Sequence, residues 1–267
     1  MSSDKTKVIV AGVMGRMGQM ILSACNNNPQ VEVIGVTEAP GTPFIGKTVQ
    51  VAEKSLEIVD SLSTILEENA VIIDFTAPKA VIASLPKVIQ AKAKLVIGAT
   101  GFSEPEKAEI KTASSEISIV LSPNMSVGVN VLLKVCELLG STLKEEYDAE
   151  VIEIHHKHKK DAPSGTALGL AEALAKGRQV NLDEKAIYGR KGLIGERPHG
   201  EIGMHAVRGG DVVGDHTVLF AGDFERIEVK HVAHSRATFA NGSVKAALFL
   251  QSKSNGFFTM QDVLGLS

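Results

Sequence analysis

Val8-Ile-Val-Ala-Gly-Val-Met-Gly-Arg-Met-Gly18 decides the fold. A short β-branched run meets a glycine turn, and the turn leads into a segment where Met17 and Ile21, and Met20 and Ala24, recur at helical spacing. The expected order is strand, turn, helix. Gly12 permits the tight turn, Gly15 lets backbone amides approach a pyrophosphate, and the helix N-terminus adds partial positive charge. Arg16 can pair with a phosphate. The spacing is Gly-x-x-Gly-x-x-Gly, which an ordinary tight turn also accommodates; its position between a strand and a helix is what favours a dinucleotide site. Glu38 closes a second expected strand, Val31 to Val36, about 20 residues beyond Gly18, where a carboxylate can accept both ribose hydroxyl protons of an adenosine. A 2′-phosphate would be repelled by Glu38, and Ala39-Pro40-Gly41 supply no cation. NADH is therefore expected to serve at least as well as NADPH.

The same alternation extends outward. Val71 to Asp74, Leu95 to Ile97 and Ile117 to Leu121 are near-continuous apolar runs, as parallel strands covered on both faces require. Helices are expected over Lys79–Gln90, with Pro86 inside, and over Glu104–Ser115, with Pro105 in the first turn. The strand exits read Phe75-Thr76-Ala77-Pro78, Gly98-Ala99-Thr100-Gly101 and Ser122-Pro123-Asn124-Met125. They should converge at the carboxyl edge of the sheet, where small hydroxyl and amide groups can line a nicotinamide pocket; turn chemistry alone explains the same residues nearly as well. After about residue 126 the pattern changes. A long helix is expected over Gly128–Leu139, a strand over Glu150–His156, a helix ending at Ala175 with Gly177 as its cap, loops with short strands over 178–215, antiparallel strands at Thr217–Phe220 and Arg226–Val232, and a final helix over Ser243–Leu250.

Composition excludes several classes. With 267 residues and 44% apolar content the chain can bury one large or two modest cores, so a disordered protein is ruled out. Its 28 basic and 31 acidic residues leave a net charge of −3, and it has no Trp and only 4% aromatics, which argues against a nucleic-acid or base-stacking surface. No segment has the length or apolarity of a membrane span or a signal-peptide core. Cys25 and Cys136 both lie in apolar segments, give no disulfide framework, and suit a reducing compartment; the cytoplasm is the expected location.

A second chemical cluster lies at mid-chain. Residues 151–161, Val-Ile-Glu-Ile-His-His-Lys-His-Lys-Lys-Asp, hold three of the eight histidines and three lysines. If the strand continues, Glu153, His155, Lys157 and Lys159 share one face, and Ile152, Ile154, His156 and His158 the other. His155 can deliver a proton near neutral pH and Lys159 can stabilise developing negative charge. His156 and His158 on one face suit zinc, but no third ligand lies nearby, so no metal is expected. Ser164-Gly165-Thr166 then opens a helix whose first amides can bind a carboxylate, with Ser164 as a plain N-cap the alternative. Acid, cation and anion hole together indicate a site for a small anionic substrate, on a different domain from the dinucleotide.

These stretches, with Ile73-Asp-Phe-Thr76, Val96 to Phe102, Asn124 to Asn130, Arg208-Gly-Gly-Asp-Val-Val-Gly214 and Ser235-Arg-Ala-Thr-Phe-Ala-Asn-Gly242, resemble the dihydrodipicolinate reductase (4-hydroxy-tetrahydrodipicolinate reductase) family across essentially the whole chain. The resemblance implies an α/β protein: an N-terminal Rossmann dinucleotide-binding domain (residues 1–126 and 236–267) completed by the C-terminal helix, and an inserted mixed α/β domain (127–235) for substrate binding and tetramerisation. It implies hydride transfer from NADH or NADPH to a cyclic dicarboxylate imine in the diaminopimelate route to lysine, by a homotetramer with closing domains. Carried over by position, His155 would be the proton donor and Lys159 its cationic partner, while His156, Gly165 and Thr166 would hold substrate carboxylate. Gly12, Val13, Met14, Gly15, Arg16, Met17, Glu38, Gly98, Ala99, Thr100, Ser122, Pro123, Asn124 and Met125 would contact the cofactor, with Arg236 and Phe239 near the closed site. Ala39, where many relatives carry a basic residue, and Ser122-Pro123 with Met125 depart from the family pattern. The rival functions are another two-domain dehydrogenase of amino-acid metabolism, an NAD-sensing protein without turnover, and a metal-dependent hydrolase.

Overall fold

The computed structural model describes residues 5–266. They fall into two compact units: the first runs to Val127 and resumes at Arg236, and the second is Gly128–Ser235.

In the first unit the elements follow as β1 (Thr6–Ala11), α1 (Arg16–Asn26), β2 (Val31–Thr37), β3 (Thr48–Val51), β4 (Lys54–Val59), β5 (Val71–Asp74), α2 (Pro78–Gln90), β6 (Lys94–Ile97), α3 (Glu104–Ala113) and β7 (Ser118–Leu121). The later segment adds a helix, Ala237–Leu250, and a short strand, Gly256–Phe258. Period two along the strands divides the core. Val8, Val10, Val71, Ile73, Val96 and Val120 pack with α1 and the C-terminal helix on one face, while Ile9, Ile72, Leu95, Ile97 and Ile119 pack with α2 and α3 on the other. Burying each such side chain contributes about 1.5–3 kcal/mol, which is why these runs read as strands with two covered faces. From the C-terminal strand inward the sheet order is β7-β6-β5-β1-β2-β4-β3, all parallel except β3. Chain order reverses on either side of β1, so a crevice opens between the β1 and β5 exits, the position where open α/β sheets bind ligands.

The antiparallel β3–β4 pair, over residues 48–59, extends the sheet edge beyond β2. Lys94 shows how the returning segment is tied in: its Nζ, at a buried strand position, donates to the carbonyls of Leu250 and Gln251 at 3.0 and 2.9 Å, satisfying the orphan end of the C-terminal helix.

The second unit contains α4 (Val127–Leu143, whose first residue belongs to the first unit), β8 (Asp148–His155), α5 (Gly165–Arg178), α6 (Leu182–Lys185), β9 (Ala186–Tyr188), β10 (Ile202–Arg208), β11 (Asp215–Ala221) and β12 (Arg226–Val232). The sheet order is β12-β11-β8-β10-β9, with β8 central, antiparallel to β11 and parallel to β10. Ala149, Val151, Ile202, Met204, Val218 and Phe220 form a core with Leu132 and Cys136 of α4 and Leu170 and Leu174 of α5. On the opposite face Ile152, Ile154, Thr217 and Leu219 are only half-buried, and Val207 and Val232 are exposed.

Two local expectations fail here. Gly177 does not cap α5: it lies within the helix, where a Cβ would come 2.2 Å from the Glu137 carbonyl oxygen of α4, and the left-handed cap is Gln179 (φ 59°). Its glycine serves close helix packing. Within the stretch expected to hold loops with short strands, residues 202–208 form an inner strand of the sheet; Gly203 interrupts its apolar run because the Glu150 carboxylate lies where its Cβ would be, 1.7 Å away. The strand carrying the histidines ends at His155, and Lys159 N–H turns back to the His156 carbonyl at 3.1 Å. Lys157 and Lys159 therefore do not continue the Glu153–His155 face.

Candidate active site

In the first unit the crevice beside β1 is a groove of about 480 Å³, lined among others by Gly12, Glu38, Ala39, Asp60, Thr76 and Lys87. Gly12 has φ +66°, and a Cβ there would meet Thr76 Cγ2 at 2.7 Å. A Cβ on Gly18 would come 2.1 Å from the Gly12 carbonyl oxygen, so this glycine lets α1 start against the turn. Within the turn, Val13 N–H donates to the Thr37 carbonyl (3.0 Å), Met14 N–H to Glu38 Oε1 (2.7 Å) and Gly15 N–H to the Gly12 carbonyl (3.0 Å). Those amides hold the loop's shape. Gly15, the N-cap of α1, offers no capping side chain, which leaves the first helical amides, those of Arg16 and Met17, as the natural pyrophosphate donors. An open crevice at the switch point, a glycine-lined turn and an uncapped helix start fit a dinucleotide.

The strand exits beside this groove are stitched in sequence. Gly98 N–H donates to the Asp74 carbonyl at 2.9 Å and Ser122 N–H to the Ile97 carbonyl at 3.2 Å. Phe75 lies against Gly98, where a Cβ would overlap its ring. Asp74, buried, accepts from Thr76 N–H and Oγ1 at 2.8 and 2.6 Å; burial pushes its carboxyl up, with the Thr76 bonds opposing. Asn124 Oδ1 accepts from Ser126 N–H at 2.8 Å, Ser122 Oγ donates to the Asn124 carbonyl at 2.9 Å, and the Met125 side chain is buried in the core. Arg236 precedes the C-terminal helix, and Phe239 packs at the edge of the same core.

The second unit gathers its titratable groups at the far end of β8. Glu153, fully buried, accepts from four donors: Arg208 Nη1 and Nη2 at 2.8 Å each, Ser164 N–H at 3.1 Å and His155 Nδ1 at 2.5 Å. His155 packs edge-on against His216, with ring centroids 5.1 Å apart, and His216 Nε2 lies 3.0 Å from Ser164 Oγ. Ser164 Oγ accepts from Ala167 N–H at 3.2 Å, capping α5, while a Cβ on Gly165 would meet nothing within 4 Å. Gly165 is exposed, so no side chain covers the start of α5 at that position. Lys159 Nζ pairs with Asp161 Oδ1 at 2.9 Å, and Arg208 Nη2 also donates to the Asp161 carbonyl at 2.7 Å. His156 N–H donates to the Val212 carbonyl at 2.8 Å, and its ring lies 6.2 Å from that of His158. The histidine–lysine turn is thus laced to the 208–214 loop.

Electrostatics separates these groups. Burial works to raise the Glu153 pKa, but the Arg208 and His155 bonds outweigh it and hold the carboxylate ionised below its usual range. Burial lowers the His155 pKa; Glu153 opposes, and Lys159 and Arg208 lower it further. His216 is pushed down to about 4, by burial first and then by His155, so it is a neutral partner near pH 7. One imidazole beside a fixed carboxylate and a second kept neutral suit proton transfer to a bound anion.

Two family models match in register with the chain: "Dihydrodipicolinate reductase, N-terminus" over residues 6–125 and "Dihydrodipicolinate reductase, C-terminus" over residues 128–264. The chain belongs to the dihydrodipicolinate reductase family. Among relatives, the 4-hydroxy-tetrahydrodipicolinate reductase of Nitrosospira multiformis is 49% identical over 262 residues (97% of each chain), and that of Burkholderia cenocepacia 45% identical over 263 residues (97% of this chain, 99% of the relative). A solved dipicolinate-bound dihydrodipicolinate reductase from Paenisporosarcina sp. TG-14 shares the fold, with TM-score 0.76 at 22% identity over 97% of this chain and 98% of that one. In this dihydrodipicolinate reductase family member, Glu153 joins the histidine cluster from the strand face that period two gave it, whereas Arg208 and His216 join although no local pattern marks them as its partners. The only signals were the Arg208-Gly-Gly stretch and the shared strand face of Glu153 and His155.

Proposed function

We propose that this chain is the NAD(P)H-dependent reductase that takes a cyclic dicarboxylate imine, 4-hydroxy-tetrahydrodipicolinate, to tetrahydrodipicolinate, the ring gaining a hydride and a proton and losing its 4-hydroxyl as water. The first unit is its dinucleotide domain and the second its substrate and oligomerisation domain. The carrying observation is the pairing of His155 with buried Glu153 beside the open start of α5. When bound, the reduced dinucleotide supplies a hydride to the ring. Arg16 and Met17 amides hold its pyrophosphate, and Glu38 orients the adenosine ribose while bracing Met14 N–H. The Gly98–Thr100 and Ser122–Met125 exits, Arg236 and Phe239 border the nicotinamide.

The substrate's two carboxylates are held by the Gly165 and Thr166 amides, His156 and Lys159, whose ammonium leaves Asp161 for the stronger field of a dianion. His155, as imidazolium, gives its Nε2 proton to the substrate atom that takes up the displaced electron pair. Fixing both reactants in one geometry supplies much of the rate.

NADH serves at least as well as NADPH, because Glu38 repels a 2′-phosphate and Ala39 offers no cation. Lys87, from α2, is the one cation among the described residues lining that groove. The half-buried face of Ile152, Ile154 and Leu219 supports association with further copies into a tetramer. The deciding experiment is NADH consumption with freshly generated heterocyclic substrate. Rapid oxidation of NADH that requires the substrate is expected; none, across dinucleotides and pH, overturns the proposal. Light scattering checks the tetramer.

A further inference from the structure

Glu153 has no place among the substrate and cofactor contacts, yet it is the most completely enclosed acid among the described residues of the second unit, with 1% of its side chain exposed. An ionised carboxylate is kept there only by its four donors. Three of them are unconditional: both Arg208 nitrogens and the Ser164 amide carry protons in every state of the protein. The fourth position, 2.5 Å from His155 Nδ1, admits only a donor, because an ionised carboxylate has nothing to give a bare ring nitrogen. His155 Nδ1 is therefore protonated whether the ring is neutral or charged, and all exchange of protons with substrate passes through Nε2. That nitrogen lies along the backbone of Gly214, where a Cβ would stand 2.9 Å from it. A side chain at this position would crowd Nε2.

We infer that Glu153, clamped by Arg208, is the positioning residue of this enzyme: it fixes the tautomer of His155 and supplies the anion that lets the ring hold its proton inside the protein. The inference rests on the reductase reading for the identity of the acid, but its geometry lies wholly within the second unit. The charged and titratable groups facing His155 are Glu153 on its own strand, Arg208 on β10, His216 on β11, and Lys159, whose partner Asp161 is in the same turn. Of these, only Glu153 and the more distant Asp161 favour the charged ring. Arg208 is needed for the opposite reason: without it Glu153 would itself protonate and release the imidazole. The clamp also ties the site to the fold, since the same guanidinium bonds the Asp161 carbonyl and Glu153 bonds the first amide before α5.

The test is nitrogen-15 NMR of the histidines in the full wild-type chain, alongside pH–rate profiles of wild type and Glu153→Gln. In the wild type the neutral His155 ring should be the Nδ1–H tautomer; an Nε2–H tautomer overturns the inference whatever the variants do. In Glu153→Gln, kcat should fall at least tenfold at neutral pH with KM changed less than threefold, and the limb reporting His155 should move down by about one unit or more, the size of effect expected from removing a contacting opposite charge. An unmoved limb overturns it, as a merely structural glutamate would lower folded yield without shifting a titration. Should Glu153→Gln not fold, Glu153→Asp keeps the charge at longer reach: a limb within a few tenths of wild type with reduced kcat supports the role, and a limb displaced by a unit overturns it. Failure of wild type to oxidise NADH with the heterocycle would sink the reductase reading alone, leaving the tautomer result intact.

Discussion

The two candidate sites, one in each unit, are built from different materials. The groove proposed for the dinucleotide is made of backbone: a positive-φ glycine, a helix start with no capping side chain, and amides that brace one another through Thr37 and Glu38. The histidine cluster is made of side chains from three strands and a turn, held by one buried carboxylate. A backbone site tolerates many side chains but no added Cβ. A side-chain site tolerates backbone variation but not the loss of a charge. Mutations should separate the halves along that line.

The largest effect is expected where chemistry depends on a single group. His155→Ala and Lys159→Ala should each lower kcat by about two orders of magnitude or more, while NADH affinity, measured by fluorescence titration, stays within about twofold because the groove belongs to the other unit. Near-normal turnover in both variants would remove these residues from the mechanism. The backbone site breaks the opposite way. Gly18→Ala would push a methyl into the Gly12 carbonyl oxygen and Val13 Cα, both main-chain atoms that cannot rotate aside. A loss of about 1–3 kcal/mol in denaturant unfolding is expected, with NADH binding weakened at least tenfold. A fully stable variant with normal binding would mean that the turn does not carry the dinucleotide.

The contrast also explains what a linear reading recovers. The first unit was legible because its determinants are local: apolar runs alternate between two covered faces, and the glycine turn carries its own sterics. Even there Val13 and Met14 are assigned as cofactor contacts by position alone, whereas their amides are used within the loop. In the second unit the reach was shorter. Period two put Glu153 beside His155 correctly, but extended the face to Lys159 because nothing in Lys157-His-Lys159 announces a turn. Arg208 lies 55 residues from Glu153 in sequence, and its strand was hidden by Gly203, whose meaning is set by a carboxylate on a neighbouring strand. Long-range charge pairing leaves no periodic signature.

A smaller effect tests the groove's selectivity. Glu38→Gln removes the charge that repels a 2′-phosphate while keeping an acceptor for Met14 N–H, so the ratio of kcat/KM for NADH over NADPH should fall about tenfold. Lys87→Ala should move that ratio a few-fold the other way, since it takes away the groove's cation. Steady-state kinetics with both dinucleotides reads both changes, and a ratio indifferent to Glu38 would mean that the carboxylate serves only the loop.

The smallest shift concerns pH and falls on the side-chain half alone. His155 has its pKa lowered by burial, with Lys159 and Arg208 adding to that and Glu153 opposing. If it acts as an acid, the active form is protonated, so kcat/KM should decline as pH rises through a value below the ordinary histidine pKa of about 6.5. A bound dianion then adds negative charge near the ring and draws Lys159 toward itself, and both changes favour the imidazolium. The kcat profile, which reports the complex, should therefore break at higher pH than kcat/KM, by about one unit. Coincident limbs would show that substrate charge does not reach His155, and a kcat/KM limb that rises with pH in this region would make the imidazole a base instead of an acid. Dinucleotide affinity over the same range should stay flat, because backbone amides do not titrate; a parallel shift in NADH binding would show that the two halves are not electrostatically independent.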